Sequence, residues 1–135
     1  MGYAILVAED DFISRTMIES ILRKDGHILH VCDDGEKAFK ILLANAKMYD
    51  LIITDISMPK MDGTELARII KVQMNITTPI LAVTSYDKSM FRPELVVHFD
   101  GWLVKPMNSK NLRDEVNRIL SSKSEGTIRI NAKEK

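Results

Sequence analysis

Short apolar runs alternate with helical stripes along most of this chain. Strand followed by helix, repeated, is typical of βαβ units with a parallel sheet, so the pattern predicts an α/β fold. The second run mixes polar with apolar positions through His27 and His30, which favours a place at the edge of the sheet. The five predicted strands are Tyr3–Ala8, His27–Cys32, Leu51–Thr54, Pro79–Val83 and Trp102–Val104.

Four apolar stripes with helical spacing lie between and after these strands. Ser109 precedes the last stripe and is predicted as its N-cap. The segment Asp87–Phe99 is interrupted by Pro93, which predicts a short or irregular helix there. The apolar positions of the four stripes are Ile13, Met17, Ile18, Ile21 and Leu22; Ala38, Ile41 and Leu42; Leu66, Ile69 and Ile70; and Leu112, Val116, Ile119 and Leu120.

The length of 135 residues and the hydrophobic fraction of 45% suit one globular domain. A Ser-rich, linker-like stretch follows Leu120, so we predict a domain over residues 1–121 and a tail over residues 122–135.

The balance of 19 basic and 19 acidic residues predicts no general attraction to nucleic acid or to a membrane. The single cysteine, Cys32, excludes a disulfide framework within the chain, and no signal peptide precedes the first strand, so we expect a cytoplasmic protein.

Polar side chains follow four of the predicted strands. In an open α/β sheet, ligands bind beyond the carboxyl ends of the strands, where the strand order reverses. If the order is 2-1-3-4-5, strands one and three are neighbours there, and Asp10 and Asp55 come together. The residues at the four strand ends are Glu9-Asp10-Asp11, Asp55, Thr84-Ser85 and Lys105-Pro106.

Two carboxylates at one sheet edge need a compensating charge. At about 4 Å they repel by about 4 kcal/mol at an effective dielectric of 20. A bound cation removes this repulsion, and oxygen ligands without His or Cys select a hard ion such as Mg²⁺.

Each of these residues also has a simpler interpretation. Asp10 or Asp11 would serve as a helix cap, Thr84 or Ser85 as another, and Lys105 as a solvated turn residue. The joint pattern is harder to explain in this way, because acids, hydroxyl and lysine reach the same edge of one sheet. Carboxylates, metal, hydroxyl and lysine are together the groups that phosphoryl transfer requires.

Four ordered motifs, which span roughly residues 3–121, resemble a receiver domain of two-component response regulators, of the chemotaxis-regulator-like kind. The resemblance implies a flavodoxin-like (βα)₅ fold with a five-stranded parallel sheet in the order 2-1-3-4-5 and helices on both faces. The motifs are Ile5-Leu6-Val7-Ala8-Glu9-Asp10-Asp11; Asp55-Ile56-Ser57-Met58-Pro59-Lys60-Met61-Asp62-Gly63; Val83-Thr84-Ser85; and Asp100-Gly101-Trp102-Leu103-Val104-Lys105-Pro106.

The same resemblance implies a role for each site residue. Asp55 would be the phosphoacceptor, and Lys105 would pair with the phosphoryl group by charge, while Thr84 would bind it through its hydroxyl. Glu9 and Asp10 would hold Mg²⁺, assisted by Asp55 and by the backbone carbonyl of Ser57. Asp11 falls outside the acid pair and is predicted to cap the first helix.

The resemblance further implies a signalling switch that accepts phosphate from a sensor histidine kinase or a histidine phosphotransfer protein. Such a domain phosphorylates and dephosphorylates itself and is not a turnover enzyme. Its output would be contact with an unknown protein or fused effector domain, without direct binding to nucleic acid or membrane. The family usually has Tyr or Phe as the switch aromatic, where this chain has Trp102, and a Gly-Ala pair where it has His98-Phe99.

Two other classes of protein share parts of this pattern. A receiver-like interaction module would bind partners without phosphate, but all five diagnostic side chains are present. A phosphatase with an aspartyl nucleophile would want a second Asp at the position of Ser57. A flavin protein of similar architecture would want a glycine-rich phosphate motif, which is absent.

Overall fold

Five parallel strands form one sheet in the order β2-β1-β3-β4-β5. The computed structural model describes the backbone of residues 2–134 and the side chains of residues 2–122. The predicted order is therefore confirmed, and the mixed second strand does lie at an edge. The strands are β1 Ala4–Ala8, β2 Ile28–Cys32, β3 Leu51–Thr54, β4 Ile80–Thr84 and β5 Gly101–Val104.

Helices cover both faces of this sheet. The segment with Pro93 forms a 3₁₀ turn and one short α-helix, in which the proline occupies the first turn, where its missing N–H costs nothing. The helices are α1 Phe12–Lys24, α2 Gly35–Asn45, α3 Gly63–Arg68, α4 Pro93–Val96 and α5 Ser109–Glu134; 3₁₀ turns lie at Ala46–Met48 and Lys88–Met90, and a π turn at Ile69–Gln73.

Alternate residues of each strand enter two separate cores. In β1, Ile5 and Val7 pack against α1 and α5, whereas Leu6 and Ala8 pack against the side that carries α2, α3 and α4. Nearly all positions of β1, β3 and β4 are buried, as expected for strands covered on both faces. The carboxyl ends of the strands are consequently held in fixed relative positions.

Capping side chains fix the residues at which the first and last helices begin. The Asp11 carboxylate accepts a hydrogen bond from Ser14 N (2.8 Å), so the predicted cap of α1 is confirmed. The predicted cap Ser109 is wrong, because Asn108 Oδ1 accepts the hydrogen bond from Asn111 N (2.7 Å) and Ser109 is the first helical residue. Aspartate and asparagine make this bond at least as well as serine, which explains the shift by one residue.

The last helix continues through Ser121 and Ser122, where the composition predicted a linker. Side chains after residue 122 lie outside the described part, so the division into residues 1–121 and 122–135 stays a prediction. Within the described chain, none of the helices has the length and apolar character needed to cross a bilayer.

Candidate functional site

Three carboxylates meet at the carboxyl edge of the sheet. Glu9 and Asp10 follow β1, and Asp55 follows the neighbouring strand β3. One oxygen of each lies within 4.8 Å of the others. Glu9 and Asp55 are buried and Asp10 is exposed, so the cluster opens to solvent on one side.

Lys105 neutralises part of this negative charge. Its Nζ lies 2.6 Å from Glu9 Oε1 and 2.8 Å from Asp55 Oδ2. Burial disfavours the charged ammonium, but its close contacts with the carboxylates of Asp55 and Glu9 outweigh burial and raise the pKa of Lys105. A backbone hydrogen bond also helps to hold Lys105 in place, since its N–H donates to Thr84 O (2.7 Å). The Lys105–Pro106 peptide bond is cis.

Glu9 is the least solvated of the three acids, with 1% of its side chain exposed. Burial and, to a smaller extent, the charge of Asp55 raise its pKa to about 7, although Lys105 acts in the opposite direction. Its Oε1 lies within ion-pair distance of Lys105 yet has no well-oriented hydrogen bond from the described residues. A further cation would stabilise this carboxylate, and an all-oxygen donor set suits a hard divalent ion.

The Asp55 carboxylate is held on both oxygens. Ile56 N donates to Oδ1 (2.6 Å), and Lys105 Nζ lies 2.8 Å from Oδ2. The first residue of α3 packs directly against this backbone, because a Cβ added to Gly63 would lie 2.1 Å from Asp55 O. Only glycine fits there.

A cavity of about 370 Å³ opens beside Asp55. The hydroxyl of Thr84 is fully buried and has no hydrogen-bond partner within the described residues, an uncommon state for a buried polar group. The cavity lining brings together Asp11, Ser14, Asp55, Ser57, Thr84, Ser85, Tyr86 and Lys105.

Trp102 does not line this cavity. Its ring packs against Phe91 and Phe99, with centroids 5.7 Å and 5.4 Å away, and its Nε1–H donates to Tyr86 O (2.9 Å). Leu103 faces the opposite core, as strand alternation predicts. The indole is thereby joined to the loop that follows Thr84.

A family model for the response regulator receiver domain matches residues 5–117. The chain belongs to this family. The receiver domain thus accounts for most of the chain, and the flavodoxin-like fold implied by the sequence motifs is confirmed.

Relatives of this receiver domain include much longer proteins. It is 32% identical to the osmosensing histidine protein kinase SLN1 of Saccharomyces cerevisiae over 114 residues, which are 81% of this chain and 9% of the kinase. The chain likewise covers 16% of the rice two-component response regulator ORR22, at 28% identity. It therefore spans a small fraction of these relatives.

Two solved structures resemble the receiver domain closely. Chemotaxis response regulator CheY4 of Vibrio cholerae is 29% identical, with a TM-score of 0.73 and coverage of 88% of this chain and 99% of that one. The receiver domain of sensor histidine kinase PA1611 from Pseudomonas aeruginosa is also 29% identical, with a TM-score of 0.78 and coverage of 90% and 99%. That structure has a magnesium ion coordinated in its active-site cleft.

The structure brings Glu9, Asp10, Asp55 and Lys105 together, and it places Thr84 and Ser57 in the adjoining cavity. Sequence reasoning missed two residues near this receiver site. Arg15 donates to backbone carbonyls of the acidic loop, and Tyr86 supplies a carbonyl to Trp102. Both act on or through backbone atoms, for which side-chain motifs carry no signal.

Proposed function

We propose that this receiver domain is a phosphorylation-dependent switch that accepts a phosphoryl group on Asp55. We base this proposal on the groups that surround the Asp55 carboxylate. It lies 2.8 Å from the Lys105 ammonium, within 4.8 Å of two further acids, and beside a cavity that contains an unpartnered hydroxyl.

In the proposed reaction a carboxylate oxygen of Asp55 attacks phosphorus. An O–P bond forms, and the P–N bond of a donor phosphohistidine or the P–O bond of an acyl phosphate breaks, so that the donor leaves with the electron pair. Lys105 offers positive charge to the phosphoryl oxygens in the cavity. Water later hydrolyses the aspartyl phosphate, so the domain is a self-reversing acceptor without an external substrate to turn over.

The acidic cluster fits Mg²⁺ as cofactor. Glu9, Asp10 and Asp55 would hold it, with the backbone carbonyl of Ser57 as a further ligand. When bound, the ion supplies positive charge that neutralises the transferred phosphoryl oxygens. The magnesium ion in the similar Pseudomonas receiver domain supports this assignment.

The proposed switch connects Thr84 to the neighbouring edge strand β5. A phosphoryl group would give the buried Thr84 hydroxyl the partner that it lacks and would draw it toward Asp55. Trp102 would follow, since its indole is bonded to Tyr86 in the same loop. The output face would be α4, β5 and α5, where Val97 and Val104 are exposed apolar side chains.

The proposed phosphoryl transfer implies two kinds of partner protein, a donor and an output partner. A sensor histidine kinase or a histidine phosphotransfer protein would donate the phosphoryl group, and an output protein or a fused effector domain would read the altered face. We place this exchange in the cytoplasm, and we expect no direct contact of this domain with nucleic acid or membrane.

Intact-mass spectrometry after exposure to acetyl phosphate tests the proposal. With Mg²⁺ the protein should gain the mass of one phosphoryl group, and without a divalent ion it should not. A protein that stays unmodified under both conditions would instead be a binding module that works without phosphate.

A further inference from the structure

We infer that Arg15 is a positioning residue for the metal site, a role that rests on the function proposed above. Arg15 lies in the first turns of α1, outside the acidic cluster. Its Nη1 donates to Glu9 O (2.9 Å) and to Asp10 O (3.2 Å). One guanidinium thus fixes two consecutive carbonyls in the loop that carries the proposed ligands.

The two ligands depend on this contact to different degrees. The Glu9 carboxylate is already fixed, because Lys105 Nζ lies 2.6 Å from Oε1 and Asp11 N donates to Oε2 (3.2 Å). The exposed Asp10 carboxylate makes no hydrogen bond or ion pair with residues 2–122. The position of Asp10 is therefore set through its backbone alone, and Arg15 holds that backbone.

The guanidinium is itself constrained. It lies over the Phe12 ring at 5.6 Å from the centroid, and Arg15 also lines a surface cavity with Asp33. A planar group that is fixed in this way loses little additional entropy when it donates to two carbonyls. Arg15 therefore prepares Asp10 for metal binding before any ion arrives.

Positioning and simple charge predict opposite effects on metal binding. Arg15 is a cation beside a site for a cation, so by electrostatics alone its removal would strengthen Mg²⁺ binding. If Arg15 orients Asp10, its removal weakens binding, because part of the binding free energy is then spent on ordering the loop. The sign of the change separates the two roles.

The experiment is a calorimetric Mg²⁺ titration at constant ionic strength, with circular dichroism as the check on folding. Arg15→Met should weaken binding about tenfold, the order expected when charge-assisted hydrogen bonds are lost. Arg15→Lys keeps the charge without the planar fork and should fall between Arg15→Met and wild type.

Arg23→Met is the matched control. Arg23 lies on the same helix and donates to the carbonyl of Leu29 (3.2 Å), far along the chain from the acids. Its loss removes this backbone hydrogen bond, an ion pair with Glu19 (2.8 Å) and a positive charge, and it should leave Mg²⁺ affinity within about twofold of wild type.

A double-mutant cycle tests whether Arg15 acts through Asp10. In an Asp10→Asn background, Arg15→Met should cause no further loss of Mg²⁺ affinity. Equal or tighter binding by Arg15→Met would overturn the inference while leaving the proposed function in place. If Arg15→Met does not fold, unchanged affinity in Arg15→Lys overturns it. Absence of Mg²⁺ binding by wild type would overturn both.

Discussion

At the residue scale, the proposed phosphate ligand Thr84 also carries an expected cost in stability. Its hydroxyl is fully buried and has no partner within the described residues, whereas the equally buried Thr54 hydroxyl donates to Asp55 O (2.8 Å). An unsatisfied buried hydroxyl destabilises the folded state, so the proposed phosphate-binding role of Thr84 implies a cost in stability when no phosphate is bound.

Thr84→Val should therefore raise the free energy of unfolding of the unphosphorylated protein by about 1 kcal/mol. Valine keeps the shape and the β-branch and removes only the hydroxyl. Urea unfolding measures the change. Thr54→Val is the matched control and should lower stability, since its hydroxyl has a partner. A loss of stability in both variants would show that the Thr84 hydroxyl is satisfied.

Asp10 is the residue on which metal binding should depend most visibly. It is the exposed member of the acid cluster, so its replacement should leave the fold intact. Mg²⁺ at about 100 times its Kd should stabilise wild type by about 2.7 kcal/mol. In Asp10→Ala this gain should be largely lost, and thermal melts with and without Mg²⁺ make the comparison. Equal stabilisation of both proteins would exclude Asp10 as a ligand.

At the element scale, the loop after β4 joins the cavity beside Asp55 to the aromatic cluster around Trp102. Tyr86 lies two residues after Thr84, lines the cavity, and accepts the Trp102 indole N–H at 2.9 Å. Phe99 packs edge-on against the indole at 5.4 Å. A movement of Thr84 should thus reach Trp102 through backbone and hydrogen bond together.

Trp102 fluorescence should report this movement. Trp102 is the only tryptophan, so its emission is assigned without ambiguity. Adding beryllofluoride with Mg²⁺ should change its emission wavelength or acrylamide quenching beyond the effect of Mg²⁺ alone. Thr84→Ala should blunt the change while Asp55 still accepts phosphate. An unchanged signal from fully modified wild type would reject the aromatic switch.

The amino end of β2 contains a pH-sensitive contact far from the site. Tyr3 N donates to His27 Nδ1 (3.1 Å), which requires that nitrogen to be unprotonated. Burial lowers the pKa of His27 below its ordinary value of 6.5. The contact is therefore fully present above pH 6.5 and is lost as the pH falls through the lowered pKa.

The free energy of unfolding should accordingly decrease as the pH falls below 6.5. His27→Asn offers a similarly placed acceptor that does not titrate, so its stability should depend less steeply on pH. Urea unfolding at several pH values measures both proteins. Parallel pH profiles for wild type and His27→Asn would contradict this account.

At the scale of the whole molecule, the sequence predicts the fold and which strand-end residues lie together. Each predicted strand lies within one or two residues of the observed strand, and β1 and β3 are neighbours. Side-chain periodicity predicts the strands, because it reflects which positions are buried. The strand order is predicted instead from the resemblance of the four motifs to receiver domains, since periodicity alone does not give the order of strands in a sheet.

The pattern of side chains along the sequence does not predict contacts that end on backbone atoms. The Arg15 contact with the acidic loop and the bond from Trp102 to Tyr86 both end on carbonyl oxygens, which every residue possesses. The shift of the α5 cap from Ser109 to Asn108 reflects two adjacent residues that can both cap. Only the folded geometry decides between such alternatives.

The most direct test of the central claim is to locate the phosphoryl group by borohydride trapping and peptide mapping after reaction with acetyl phosphate and Mg²⁺. We predict a single label on Asp55, lost in Asp55→Asn, because among residues 2–122 only this acid has both Lys105 at 2.8 Å and the cavity beside it. A label on another residue, or an Asp55→Asn protein that takes up phosphate at the wild-type rate, would contradict it.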